Sequence, residues 1–405
     1  MSKFKKIKLN DIAAPGRSII SGPFGSNIGK RFFKDSGVPV IRGNNLTTDF
    51  KKFVDDGFVF LTNEKANELN SDAVEGDILF TAAGTIGQVG MIPIGAAYKR
   101  YVISNKQLRF RVDLKKADPN YVFYWLASPW IFKAILNRNT GSTVPLINLG
   151  IIKSLPISLP EDILEQKKIA NVISVIDGKI EVNNRINTEL EAMAKTLYDY
   201  WFVQNDKFCK WEVVKLGDCI TVNERNITKD YSQNEIEYID IASVSVGRLE
   251  GTSKYQLNNA PSRARRIVQN GDTIWSTVRP NRKSYLFISN PKDNLVVSTG
   301  FAVLTPKTIP PTFLYFFSIT DKFVNYLVSN AEGSAYPAVS ADRFLETELS
   351  MPPKKMLAEF EEIVNPILSK IAKNEMENHA LTEIRDWLLP MLMNGQVTVV
   401  NKDDI

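Results

Sequence analysis

The chain has 405 residues, room for two or three ordinary domains, and is 44% hydrophobic and 23% charged, which excludes wholesale disorder. Its two cysteines, Cys209 and Cys219, exclude a disulfide framework or a four-cysteine metal site. The net charge of +5 is unevenly spread. Residues 1–160 hold 22 Lys and Arg against 12 Asp and Glu, and a basic excess confined to one stretch fits a polyanionic partner or a solvated basic face.

In chain order, the lysine-rich start, Met1 to Asn10, is followed by no apolar run. No stretch approaches the roughly 20 apolar residues of a membrane span, so a cytoplasmic protein without membrane contact is expected. Residues 1–160 alternate short β-branched and aromatic runs with Gly, Pro and Asn turns, as in Gly76-Asp77-Ile78-Leu79-Phe80-Thr81. A short helix is expected at Pro119 to Leu126, its aromatics at helical spacing and therefore core. Residues 161–204 read as one long amphipathic helix. Residues 205–353 repeat the grammar of the first block, with a second aromatic helix at Pro311 to Phe317. Residues 354–405 hold a second long helix and a tail.

The second half copies the first. Lys8-Leu9-Asn10-Asp11 matches Lys215-Leu216-Gly217-Asp218, and Glu75-Gly76-Asp77 matches Asn270-Gly271-Asp272. Gly141-Ser142-Thr143-Val144-Pro145 matches Gly333-Ser334-Ala335-Tyr336-Pro337. The offset shrinks from 207 to 192 while the order holds, which marks a duplicated unit with loops of different length. Two such units in one chain can be related by a pseudo-twofold axis. The expected fold is α+β: two similar α/β-type globular units with largely β cores, joined by two long antiparallel coiled-coil-like helices.

Each long helix carries five heptads. The first has Ile169, Ile176, Asn183, Leu190 and Leu197 at a and Val172, Lys179, Ile186, Met193 and Tyr200 at d. The second has Phe360, Ile367, Asn374, Leu381 and Leu388 at a and Ile363, Lys370, Glu377, Ile384 and Met391 at d. The polar residues Lys179, Asn183, Lys370 and Asn374 interrupt the two seams at equivalent places, fixing register or touching a partner. Pro366 is expected to kink the second helix or displace its start. A helix of about 38 residues spans roughly 57 Å. Paired helices of that length would hold two globular units a fixed distance apart, and a spacing of one to two turns of a DNA duplex, about 34 to 68 Å, is within reach.

Catalytic signatures are missing. The one histidine, His379, lies on the second helix, and there is no H-E-x-x-H or C-x-x-C. Gly22 to Arg31 misses phosphate-loop spacing, with Phe24 where a glycine and Arg31 where a hydroxyl should stand. Gly84-Thr85-Ile86-Gly87-Gln88-Val89-Gly90 fails the G-x-G-x-x-G spacing and reads as a hairpin turn, with approach to a phosphate through backbone N–H groups as the alternative. A binding module is therefore expected, with no catalytic residue and no metal. A protein–protein scaffold with an incidental basic surface and a nucleic-acid enzyme with a cryptic carboxylate site are the alternatives.

Base edges are read by Arg, Lys, Asn, Gln and small hydroxyls on exposed loops, with further cations on phosphates. In the first unit Lys30, Arg31, Arg42, Asn44, Asn45, Lys99, Arg100, Asn105, Lys106, Gln107, Arg138 and Ser142 fit that description. In the second, Arg263, Arg265, Arg266, Arg279, Asn281, Arg282, Lys283, Ser334 and Tyr336 do. The run Arg279-Pro280-Asn281-Arg282-Lys283 sets three cations and an amide around a turn-forming proline.

Taken together, these residues resemble the specificity subunits of type I restriction–modification systems over nearly the whole chain. The resemblance rests on Gly141 to Pro145, the stretch Leu155 to Pro160, Glu165-Gln166-Lys167-Lys168-Ile169-Ala170, and Leu197-Tyr198-Asp199-Tyr200-Trp201-Phe202. It implies two target-recognition domains, each reading half of a split asymmetric DNA site, with helix length setting the gap. It also implies two methyltransferase partners carrying S-adenosylmethionine, motor-nuclease partners using ATP and magnesium, and no cofactor in this chain. The second copy has Leu357-Ala358-Glu359-Phe360 in place of the Glu-Gln-Lys-Lys start.

Overall fold

In this computed structural model, residues 3–141, 143–204, 211–334 and 336–399 are described. Ser142 and Cys209 lie outside the described residues. The chain divides into two compact units, Met1–Val182 with Asn378–Ile405 and Asn183–Glu377. Sequence punctuation gave each long helix a segment of its own; the units instead share both helices, because each globular core packs on part of each helix.

Unit 1 contains the strands β1 (Phe4–Lys8), β2 (Ile19–Ser21), β3 (Val38–Ile41), β4 (Val59–Leu61), β5 (Asp72–Ala73), β6 (Ile78–Thr81), β7 (Val89–Met91), β8 (Tyr101–Ile103), β9 (Gln107–Phe110) and β10 (Pro156–Pro160). Its short helices are α1 (Asn63–Leu69), α2 (Pro119–Leu126), α3 (Pro129–Leu136) and α4 (Leu149–Ser154), and the long helix α5 covers Ile163–Tyr198. The strands form a β1-β10 pair and two four-stranded sheets ordered β2-β9-β6-β7 and β4-β3-β8-β5.

Unit 2 adds β11 (Val213–Lys215), β12 (Ile220–Val222), β13 (Glu235–Ile239), β14 (Ser253–Gln256), β15 (Ala264–Ile267), β16 (Thr273–Ser276), β17 (Tyr285–Phe287), β18 (Leu295–Ser298), β19 (Phe301–Pro306) and β20 (Glu348–Ser350). Its helices are α6 (Pro311–Ser318), α7 (Asp321–Ser329), α8 (Ala341–Leu345) and α9 (Lys354–Met393). The sheets run β11-β20, β12-β19-β16-β17 and β14-β13-β18-β15, the order of unit 1 strand for strand. A parallel pairing recurs too, β3 with β8 and β13 with β18. The duplication read from short motifs is therefore a duplication of topology.

Local chemistry explains the shared elements. Every residue of β6, β9 and β16 is buried, as expected of central strands covered on both faces. Asp118 caps α2 by accepting from the Tyr121 amide at 3.0 Å, with Pro119 at the first helical position. Tyr121, Val122, Phe123, Tyr124 and Leu126 then enter the core, each worth roughly 1.5–3 kcal/mol of burial. In the turn before β6, Asp77 accepts from the Val74 amide at 2.9 Å and Asp272 repeats this with Gln269 at 2.8 Å. That buried carboxylate is why Gly-Asp stands before the strand in both copies.

The start of α5 is locked by Gln166, which is fully buried. Its Oε1 accepts from the Asp118 amide at 2.9 Å and its Nε2 donates to the Pro160 carbonyl at 2.8 Å. In unit 2 the helix is tied differently, the Thr312 amide donating to Glu361 Oε2 at 3.2 Å. This is the physical content of the missing Glu-Gln-Lys-Lys start in the second copy.

The heptad expectation needs correction at d. The a residues Ile169, Asn183, Phe360, Ile367 and Asn374 are buried, but Lys179, Met193, Tyr200, Ile363, Lys370, Glu377 and Ile384 are exposed. The buried stripe is completed at the following position instead, by Ile173, Asn187, Ala194, Val364 and Leu392. The helices must serve the globular cores as well as one another, and this rotates the buried face. Ile169, Ala170 and Ile173 join the unit 1 core, and Tyr198, Leu357 and Phe360 that of unit 2. Lys179 and Lys370 therefore stand outside the buried seam.

The asparagines stand inside it. Asn183 Nδ2 donates to Glu377 Oε2 at 2.9 Å, and Asn374 Nδ2 to Asn187 Oδ1 at 2.7 Å. Within unit 2 the helix segments thus run antiparallel. In unit 1 Arg385 Nη1 meets Asp177 Oδ1 at 3.0 Å. The expected effect of Pro366 on the helix start is absent, since α9 begins at Lys354 and continues through that residue.

Candidate nucleic-acid interface

In unit 1, β2, β3, β6 and β8 all end, and β7 and β9 begin, at one edge of the sheets. Backbone hydrogen bonds gather the loops there. Gly22 donates to the Gln107 carbonyl at 2.9 Å, Ser104 to Ile41 at 2.9 Å and Ala82 to Lys106 at 2.7 Å. Gly84 donates to the Pro145 carbonyl at 3.0 Å, joining the 82–88 loop to the segment around Pro145. Gln88 braces the cluster, donating to the Leu46 carbonyl at 2.8 Å and accepting from Thr81 Oγ1 at 2.7 Å.

This edge brings together much of what the sequence singled out. Asn44, Asn105 and Lys106 are exposed on its loops, and Lys30 and Arg31 are exposed on the segment following β2. Arg31 lies over the Phe32 ring at 4.7 Å. Arg42 is half-buried and donates to the Gly57 carbonyl at 2.8 Å. Arg138 is half-buried at the end of α3, close in sequence to the 139–147 loop.

Four assignments in unit 1 are corrected. Asn45 is fully buried, donating to Val54 and Asp56 carbonyls at 2.9 and 2.8 Å and accepting from the Arg42 amide at 2.9 Å. It shapes a loop and has no face left for a base. Gln107 is 1% exposed and accepts from Ser104 Oγ, so it too belongs to the interior. Lys99 and Arg100 precede β8, at the opposite edge of the sheets. Arg100 is held there by Asp72 Oδ1 at 2.9 Å. Sequence reasoning missed Phe24, 84% exposed on the loop after β2. Its signal was a large apolar residue between Pro23 and Gly25, outside any helical or strand period.

Unit 2 builds the same edge. Thr277 donates to the Gly300 carbonyl at 2.8 Å, Val339 to Thr277 at 2.8 Å and Arg279 to Pro337 at 2.7 Å. Asn281, Arg282, Ser334 and Tyr336 are exposed on these loops. The Arg279 guanidinium lies over the Tyr336 ring at 4.2 Å, and Lys283 Nζ meets Asp321 Oδ1 at 3.2 Å. The Thr299 amide donates to the Arg263 carbonyl at 2.8 Å, which brings exposed Arg263 to the same edge. Arg265 is exposed, its Nε donating to Ser262 O at 3.2 Å. Arg266 is half-buried beside a register shift in β15, and burial pulls its pKa down.

Several charged side chains away from this edge hold the fold together. Arg111 grips buried Asp77 through Nε and Nη2, both at 2.7 Å, and that grip holds the guanidinium pKa up. Asp272 is held by Thr305 Oγ1 at 2.8 Å and Arg225 at 3.2 Å, and burial raises its pKa. His379 is exposed, 3.6 Å from Glu383 on its own helix. Among the described residues no group of three His, Cys, Asp or Glu side chains is placed to hold a metal, and no helix is long and apolar enough to cross a membrane.

The family model described as "Type I restriction modification DNA specificity domain" matches twice, over residues 1–192 and 209–385. The chain belongs to this family. Its relatives include the specificity subunit of the type I restriction enzyme MjaIX of Methanocaldococcus jannaschii, 23% identical over 378 residues and 84% of each chain. The HindI specificity subunit of Haemophilus influenzae is 26% identical over 185 residues, covering 44% of this chain and 39% of that one. Among solved structures, the S subunit of a type I restriction–modification system from M. genitalium covers 96% of each chain at 15% identity with a TM-score of 0.62, a likeness of fold. The two family matches fall on the two topologically equivalent halves, so each copy of the strand order is one specificity domain.

Proposed function

We propose that this chain is the sequence-reading subunit of a type I restriction–modification complex, each unit contacting one half of a split, asymmetric DNA site. The observation that carries the reading is the repeated strand order with unlike polar side chains on the equivalent loops. A shared scaffold with divergent loops suits recognition of two different half-sites. The basic excess of residues 1–160 supports phosphate contact by unit 1.

The helices, in this reading, set the gap between half-sites and dock two methyltransferase subunits that bring S-adenosylmethionine. Motor-nuclease subunits would supply ATP- and magnesium-dependent cleavage. This chain would carry no chemical step and would act in the cytoplasm. The test is adenine-methylation mapping of host DNA with and without the gene. Loss of methylation at one two-part motif is the expected result; an unchanged methylome in a host that expresses all the subunits refutes the reading.

A further inference from the structure

The loop between β6 and β7 and the loop between β16 and β17 are equivalent, yet they solve the same backbone problem with opposite chemistry. Thr81 and Ser276 end the equivalent strands, and the third residue beyond each is Gly84 or Arg279. Both donate their amide to a proline carbonyl, Gly84 to Pro145 at 3.0 Å and Arg279 to Pro337 at 2.7 Å. Two residues before the return strands β7 and β17 stand Gly87 and Lys283. All four have left-handed backbone, with φ of +92° and +95° for the glycines and +51° and +54° for Arg279 and Lys283.

Glycine adopts this conformation without penalty, whereas a residue with a Cβ does not. Unit 2 thus places long cations at the two positions where the fold favours glycine. Strain of this kind persists where the side chain it delivers has a task. The delivery is specific: the Arg279 guanidinium carbon lies over the Tyr336 ring, 4.2 Å from its centroid, and that ring is 64% exposed on the neighbouring loop. The cation–π contact restrains the position of a planar group whose N–H donors all lie in one plane. Two such donors match the O6 and N7 acceptors of guanine in the major groove. Unit 1 has no room for the second cation, since a Cβ on Gly87 would meet the Phe132 ring at 2.5 Å.

Building on the function proposed above, we propose that Arg279, aligned by Tyr336, reads a guanine in the half-site contacted by unit 2, and that unit 1 makes no counterpart contact from its glycine loop. Tyr336 is a positioning residue in this arrangement.

The test assembles the full chain with its methyltransferase subunits in a host free of adenine methylation and maps methylated sites for the native chain, Arg279→Gly and Tyr336→Ala. Arg279→Gly restores the residue found in unit 1 and removes strain, so its thermal melting should not fall below that of the native chain. The expected result is a native motif with an invariant G·C pair in one half. Its preference over other bases should drop roughly ten- to hundred-fold in Arg279→Gly, at that position only. Tyr336→Ala should weaken preference at the same position by less. An unchanged motif in Arg279→Gly, or a uniform loss at every site without relaxation, overturns the assignment while leaving the proposed function standing. If the native complex methylates no two-part motif, the proposed function falls and this assignment falls with it.

Discussion

Glu375 offers a direct test of how the second unit holds its helices. Its carboxyl is pushed up to about 7 by burial, with Glu191 and Glu250 adding repulsion and Arg248 opposing them. Tyr315, whose own pKa is raised by burial, faces Glu191 and Glu375 as well. A Cβ on Gly247 would lie 3.2 Å from Glu191 Oε1 and 3.3 Å from the Tyr315 hydroxyl, so the 245–250 loop closes over the cluster. A carboxyl whose folded pKa is raised binds its proton more tightly when folded. Stability is therefore lost as pH rises from the unfolded value of 4.5 to about 7, and is flat above that. The shift corresponds to about 3 kcal/mol at most, and solvent reaching the partly exposed carboxyl reduces it. Glu375→Gln removes the titration. The variant should match the native chain near pH 4.5 and exceed it at pH 8 by roughly 1–3 kcal/mol. Urea unfolding followed by tryptophan fluorescence measures this, because Trp275 is fully buried in unit 2. Parallel pH profiles for the two proteins would refute the reasoning.

Three further perturbations separate structural from DNA-facing side chains. Asn45→Ala should lower the stability of unit 1 by about 2–4 kcal/mol, since it removes three hydrogen bonds of a buried amide; calorimetry showing no change would make Asn45 a candidate for base reading again. Asp77→Ala leaves Arg109 and Arg111 without their buried carboxylate and should cost about 3–5 kcal/mol, read as a lowered denaturant midpoint. Lys30→Ala with Arg31→Ala should shallow the salt dependence of DNA binding by the complex, by about 0.9 in log–log slope for each phosphate that is no longer neutralised. An unchanged slope would remove both residues from the interface.

The motifs that define the duplication are short, yet they sufficed to place two equivalent units. Gly76-Asp77 and Gly271-Asp272 mark a turn whose carboxylate is consumed by the backbone, a local constraint that a sequence displays directly. The aromatic helices were legible for the same reason, since Pro119 and Pro311 open them and helical spacing buries their rings. Half of the a positions of the long helices, Ile169, Asn183, Phe360, Ile367 and Asn374, are buried as periodicity alone suggested.

What periodicity could not supply was the second buried stripe. Whether Lys179 or Asn187 faces inward depends on where the globular core presses against the helix, and that brings together residues far apart in sequence. The same limit governs the interface. Asn44 and Asn45 are neighbours of one residue type, and only the carbonyls of Val54 and Asp56 decide that one is interior while the other stays exposed. The sequence determined the repeat, the scaffold and the supply of basic and amide side chains, because those are fixed by local turns and apolar spacing. The tertiary structure decided which of those side chains meet at one edge of the sheets, because that depends on pairing of strands as far apart in the chain as Ile19 and Phe110.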